Sequence, residues 1–317
     1  MLNYGKKAIR ARKYIIVFFL FGWIISTAEP QTGQGFPGSD IFAVFEKASY
    51  AEKADIAEKI DAIKENRILI QKIYEYVFEE KNYSENPYSA ELYAAAAKNA
   101  LSLVLLDHEE ARLFKKDNLK ASIGFLSSYG YREGYPVVYR LKSAPLPGDY
   151  RKDIQQSAGD ALKNYGGNYY DNILAVIKTN PPVDVLEILE ASENDVRVSL
   201  VMKGKLFEEA LDYSMKYAPR NHVEKTQLEK IQLLSIKNLS YMKWSEAAPL
   251  VIRFFNYLSG YKNTAIVKNH IIETVKCLGN MGSAEATERL NLFLVMSNRY
   301  AEKNLAYDPD IVFEVVR

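Results

Sequence analysis

A leucine followed four positions later by a glycine recurs along this chain, at Leu126 and Gly130, Leu162 and Gly166, Leu200 and Gly204, and Leu278 and Gly282. Leu239 falls between the last two, with Lys243 where the glycine would be. The five leucines are 36, 38, 39 and 39 residues apart. A single Leu-x-x-x-Gly says little. A near-constant step of this size restricts the chain to a stack of like units, because a short helical unit cannot bury its apolar stripe alone.

The second half of the unit recurs too. Twelve residues after the anchors lie Val138, Leu174, Val251 and Leu290, and three further on lie Leu141, Ile177, Phe254 and Phe293. A spacing of three places each pair on one face of a helix. The third unit has Asp212 and Met215 there, with Leu211 adjacent, which reads as a one-residue slip. Each unit is therefore expected to be two antiparallel helices. The first would end near the Leu-x-x-x-Gly, where glycine suits a left-handed cap. Lys243 would need a different cap. Few stretches alternate polar and apolar residues, so the expected class is all-α.

The stretch VKCLGNMGSAEATERLNLFL, ending at Leu294, resembles a HEAT repeat in its first-helix apolar residues, Leu-Gly, short turn and leucine-patterned second helix. GDALKNYGGNYYDNILAVI (Gly159 to Ile177) is similar, and KNLSYMKWSEAAPLVIRFF (Lys237 to Phe255) keeps the spacing without the glycine. The turn lacks the family's Asp and the first helix its early Pro. The resemblance covers about residues 119–317 and implies a right-handed α-solenoid of the HEAT or armadillo type, with a period of about 38–39 residues. Tetratricopeptide repeats are the nearest rival, but their period is about 34 and their Trp, Gly-Tyr and Pro pattern is absent.

Upstream, residues 1–28 read as a signal peptide: Lys6, Lys7, Arg10, Arg12 and Lys13, then the apolar run Tyr14 to Ile25, then the small residues Ser26 to Ala28. An uncleaved membrane anchor is the alternative. Residues 29–39, rich in Gly, Pro and Gln, read as a flexible leader. Residues 40–118 read as a helical N-terminal block, a cap or diverged repeats, in which Ser89 to Leu106 is expected to be well buried. Downstream, a last apolar helix starts near Asp310 and would be half a unit.

Export and a single cysteine, Cys277, leave no internal disulfide, so the core must hold the fold. Cys277 lies on an apolar stripe and is expected to be buried. Without residues 1–28, Lys plus Arg falls from 41 to 36 against 40 Asp plus Glu, near −4. No basic surplus remains for nucleic acid. The three histidines, His108, His222 and His270, make no zinc motif, since Arg112 stands where a second His would be needed after His108. No cofactor, metal or catalytic constellation is expected.

The expected role is a non-catalytic scaffold or adaptor in the bacterial cell envelope, periplasmic or secreted, with another envelope protein as partner on a concave face lined by the second helices. The residues expected to meet that partner are Tyr139, Arg140, Tyr170, Lys178, Arg253, Asn256 and Tyr257. The alternative is a glycan-binding protein or carbohydrate-active enzyme using carboxylates and the tyrosine clusters, the chain holding 23 tyrosines.

Overall fold

The computed structural model describes residues 37–79, 88–259, 264–303 and 308–317. The signal peptide and most of the expected leader lie outside the described residues. Among the described residues every regular element is helical. They are α1 (Pro37–Lys47), α2 (Tyr50–Lys59), α3 (Arg67–Glu79), α4 (Ser89–Leu106), α5 (Lys116–Tyr129), α6 (Tyr135–Leu141), α7 (Gly148–Lys163), α8 (Tyr169–Thr179), α9 (Pro182–Glu193), α10 (Leu200–Lys216), α11 (His222–Tyr241), α12 (Ala248–Ser259), α13 (Ala265–Met281), α14 (Ala284–Glu302) and α15 (Pro309–Val316). Helix α1 begins inside the stretch read as leader, so residues 37–39 are helical rather than flexible. Among the described residues no helix is long and apolar enough to cross a membrane.

Side-chain caps start seven of these helices. Side chains of Ser49, Asn168, Ser199, Asn221, Thr264, Ser283 and Asp308 each accept a first-turn backbone N–H, and Ser49 with Glu52 closes a reciprocal capping box. The helices then pack in an alternating order. Each even-numbered helix from α2 to α14 touches the next even-numbered one, and the odd-numbered helices do the same from α9 to α15. One buried cluster runs from Tyr135 to Ile311 and a second from Ile70 to Ala158, so apolar contact is continuous across residue 118. A third joins α1 to α4 through Phe45, Leu69, Ile73 and Leu92, and α4 also gives Ala94, Ala97, Ala100 and Leu101, all but inaccessible, to the second. Helix α15 buries Ile311, and Lys268 of α13 holds Asp308 at 3.1 Å.

The leucine anchors mark two different things. Leu126 and Leu239 end first helices: their carbonyls accept the N–H groups of Tyr131 and Trp244 (3.1 and 3.0 Å), while Gly130 and Lys243 donate to Ser127 and Ser240. That double bond is a Schellman turn. Gly130 and Gly282 take left-handed backbone there, and Lys243 takes it too, at φ 51, rather than using another cap. Leu200 is a correction. It is the first residue of α10, a second helix, and is 68% exposed, while the first helix of its unit is α9. Second helices thus begin at Tyr135, Tyr169, Leu200, Ala248 and Ala284, and the steps are unequal rather than a steady 38–39. The alternating contacts do not require equal helices; α11 is simply longer than α9.

Lys243 carries a prediction. A residue with a Cβ in left-handed backbone costs roughly 1–2 kcal/mol, partly offset because glycine loses more freedom on folding. Lys243→Gly should therefore stabilise the chain by about 1 kcal/mol and raise its melting midpoint by about 2 °C. Thermal unfolding checks this, with Gly282→Ala, where a Cβ meets open space, as the opposite change.

Candidate interaction surface

The second helices present a strip of side chains that link one helix to the next. Lys178 of α8 lies 3.5 Å from Glu209 of α10. One turn on, Asp212 of α10 lies 3.7 Å from Arg253 of α12 and also meets Lys216. Asn256, three residues after Arg253, accepts two hydrogen bonds from Arg289 of α14, at 2.9 and 2.6 Å. The Arg289 guanidinium also sits 4.9 Å above the Phe255 ring, and its pKa is lowered by burial. Four helices are crossed by contacts that the 3.6-residue period makes possible, because Glu209 and Asp212 share one face.

Of the seven residues expected to meet a partner, Lys178, Arg253 and Asn256 fall on this strip and are exposed. Tyr257 adjoins them, 40% exposed, its ring stacked on Phe254. Tyr170 and Arg140 are half-buried; burial, and then the Asp171 and Glu209 carboxylates, raise the Tyr170 phenol. Tyr139 is a correction: it is 7% exposed, with the Lys142 ammonium 3.7 Å above its ring. Burial pushes its phenol up, so it belongs to the core. Glu209, Asp212 and Arg289 were not among the expected residues. Taking Leu200 as the end of a first helix placed α10 out of register and concealed the Glu209–Asp212 face.

Several tyrosines are internal joints, while Tyr88 and Tyr129 of the clusters are 46 and 44% exposed. Tyr165 donates to the Tyr131 carbonyl at 2.8 Å, Tyr213 to the Asn180 carbonyl at 2.8 Å, and Tyr150 to the Phe114 carbonyl at 3.0 Å. Each ring fills a junction while its hydroxyl satisfies a backbone acceptor of a neighbouring unit. Burial lifts the phenol of Tyr135 to about 12. Tyr169 donates to Asp195, and Arg197 both donates to Tyr169 and chelates Asp195; that guanidinium holds the Asp195 carboxyl well below the usual carboxylate range.

The remaining candidates are structural. His270 is buried, with Nδ1 2.8 Å from the Ile266 carbonyl and Nε2 2.9 Å from the Glu229 carbonyl, linking α13 to α11. Cys277 is fully buried, its thiol pushed up to about 12 by burial. A hollow of about 670 Å³ between the C-terminal ends of α11, α13 and α15 mixes Glu273 and Glu314 with Lys237, Lys276 and Arg317. Among the described residues no three His, Cys, Asp or Glu side chains could share a metal ion. No protein-family model, curated protein or solved structure matches the chain.

Proposed function

We propose that the chain is a right-handed HEAT-like α-solenoid, exported by residues 1–28, that serves as a non-catalytic interaction scaffold in the bacterial cell envelope. Its partner is another protein, which places an acidic segment along the strip on the second helices. The alternating contacts of odd and even helices support the solenoid. The strip carries the functional reading: Lys178 pairs with Glu209, Lys216 and Arg253 share Asp212, and Arg289 meets the neutral amide of Asn256 rather than a carboxylate. Cations are in excess on a chain whose overall balance is near neutral, which selects acidic partners and steers their approach. The pairs at 3.5 and 3.7 Å are exposed and contribute less than about 1 kcal/mol each, so a partner's carboxylates exchange for them at little loss.

Crosslinking the chain in an envelope extract of its source organism tests this. One protein should be recovered, in a salt-sensitive manner, and lost with Lys178→Glu plus Arg253→Glu while the circular dichroism is unchanged. Equal recovery with the double substitution, or recovery of glycan instead, would refute the reading.

A further inference from the structure

Helix α14 is apolar on two faces. One face is used: Leu290 and Phe293 pack against the core, and Ala286 and Ser297 are buried. The other is not. Leu292, Val295, Met296 and Tyr300 are 52, 47, 41 and 42% exposed, and the spacings of three and four put them on one stripe. The adjoining α15 leaves Phe313 and Val316 about 70% exposed as well. Isolated exposed apolar residues are ordinary, whereas a contiguous stripe marks a contact surface.

One acid and one base beside the stripe are equidistant from its centre. Glu288 lies four residues before Leu292, and Arg299 four residues after Val295. Both are exposed, and neither has an ion-pair partner among the described residues. We propose that this stripe is the interface of a homodimer in which α14 of one copy lies antiparallel to α14 of the other. A two-fold axis between Leu292 and Val295 sets Leu292 of each copy against Val295 of the other. The same operation sets Glu288 against Arg299 twice. Antiparallel packing also aligns the helix dipoles favourably. An isologous contact needs a surface complementary to itself, and an acid and a base equidistant from the centre supply it. A foreign partner would require no such symmetry. Glu285 and Glu302 would also face each other across this axis, at the solvated ends of the contact, where screening weakens their repulsion. Dimerisation through α14 would cover the end of the strip at Arg289, three residues before Leu292, and present its Lys178–Glu209 and Asp212–Arg253 pairs twice, so bivalent partners would be held more tightly.

Sedimentation velocity of the full chain across the micromolar range tests this interface. The unsubstituted chain should sediment as two copies. Glu288→Arg should weaken association by about tenfold, since it places two arginines together at both ends of the stripe. Adding Arg299→Glu should restore it to within about threefold, because the swapped pairs are again opposite in sign. Both substitutions are at exposed positions and leave the core intact. A monomer at every concentration overturns the proposal. So does a dimer indifferent to Glu288→Arg, which would show association through another surface, or a charge swap that fails to restore it.

Discussion

Gly204→Val is expected to destabilise the chain by about 3 kcal/mol, the upper part of the range for overpacking, and to lower the melting midpoint by roughly 6 °C. Gly204 sits inside α10, where glycine gives up about 1 kcal/mol of helix propensity relative to alanine. Its reason is the indole of Trp244. A Cβ built at Gly204 would lie 2.5 to 2.8 Å from three atoms of that ring. The ring cannot yield like the end of a lysine. It is rigid, and its Nε1 donates to Glu208 Oε2 at 3.1 Å, which holds it flat on α10. A valine must push the indole out, and the hydrogen bond is lost with it. Trp244→Ala removes the obstacle, so Gly204→Val in that background should cost under about 1 kcal/mol, and the double-mutant cycle should return a coupling near 2 kcal/mol. Thermal unfolding of the four chains gives the number. Equal costs in both backgrounds would refute the contact.

This glycine also shows how far the sequence could be read. The all-helical class, the buried Ser89–Leu106 helix and the core positions Val138, Leu141, Ile177, Val251 and Phe254 were legible, because each depends on the 3.6-residue period within one helix. The left-handed turns after Leu126 and Leu278 were legible for the same local reason. Gly204 fitted the same pattern and means something else. A capping glycine and a glycine that admits a neighbouring ring look identical along the chain, and only the packing partner distinguishes them. Trp244 lies forty residues away in the next unit. With α10 displaced the Glu209–Asp212 face could not be recognised; Tyr139, in a unit whose register is right, lies off the apolar stripe yet is buried, with Lys142 over its ring. Periodicity specifies which face of a helix is apolar. It does not specify which of two faces meets solvent in a stack, and both α14 and the tyrosine junctions turn on that.

The other large effect concerns a buried polar joint that ties three units together. Asn180, 2% exposed, donates from Nδ2 to the Pro136 carbonyl of α6 at 3.2 Å and to Asp184 Oδ2 of α9 at 3.0 Å. Its Oδ1 accepts from Thr179, and its carbonyl accepts from Tyr213 of α10. The amide nitrogen has two acceptors, while Oδ1 shares the single Thr179 proton with the nearer Ala175 carbonyl, so the network is costly to break in part. Asn180→Leu strands the Asp184 carboxylate, 4% exposed, without that donor, and should cost about 3 kcal/mol. Asn180→Leu with Asp184→Leu removes both groups and should recover most of the loss, since replacing a buried polar pair by apolar side chains is close to neutral. A double substitution no better than the single one would mean that the Pro136 carbonyl, not Asp184, dominates. The acid has a pH signature of its own. Burial raises the Asp184 pKa above its ordinary 3.8, against the lowering effects of Asn180, Arg140 and Lys142. The folded chain therefore binds this proton more tightly than the unfolded one. The stabilisation is fully present below about pH 3.8 and is lost as pH rises through the folded value. Asp184→Asn cannot titrate, so its stability relative to the parent should improve steadily from pH 4 upward and level off once the parent's carboxyl is ionised. Chemical denaturation at a series of pH values measures that difference directly. A difference that stays flat across the range would place the Asp184 carboxyl in contact with water, in conflict with its burial between α6 and α9.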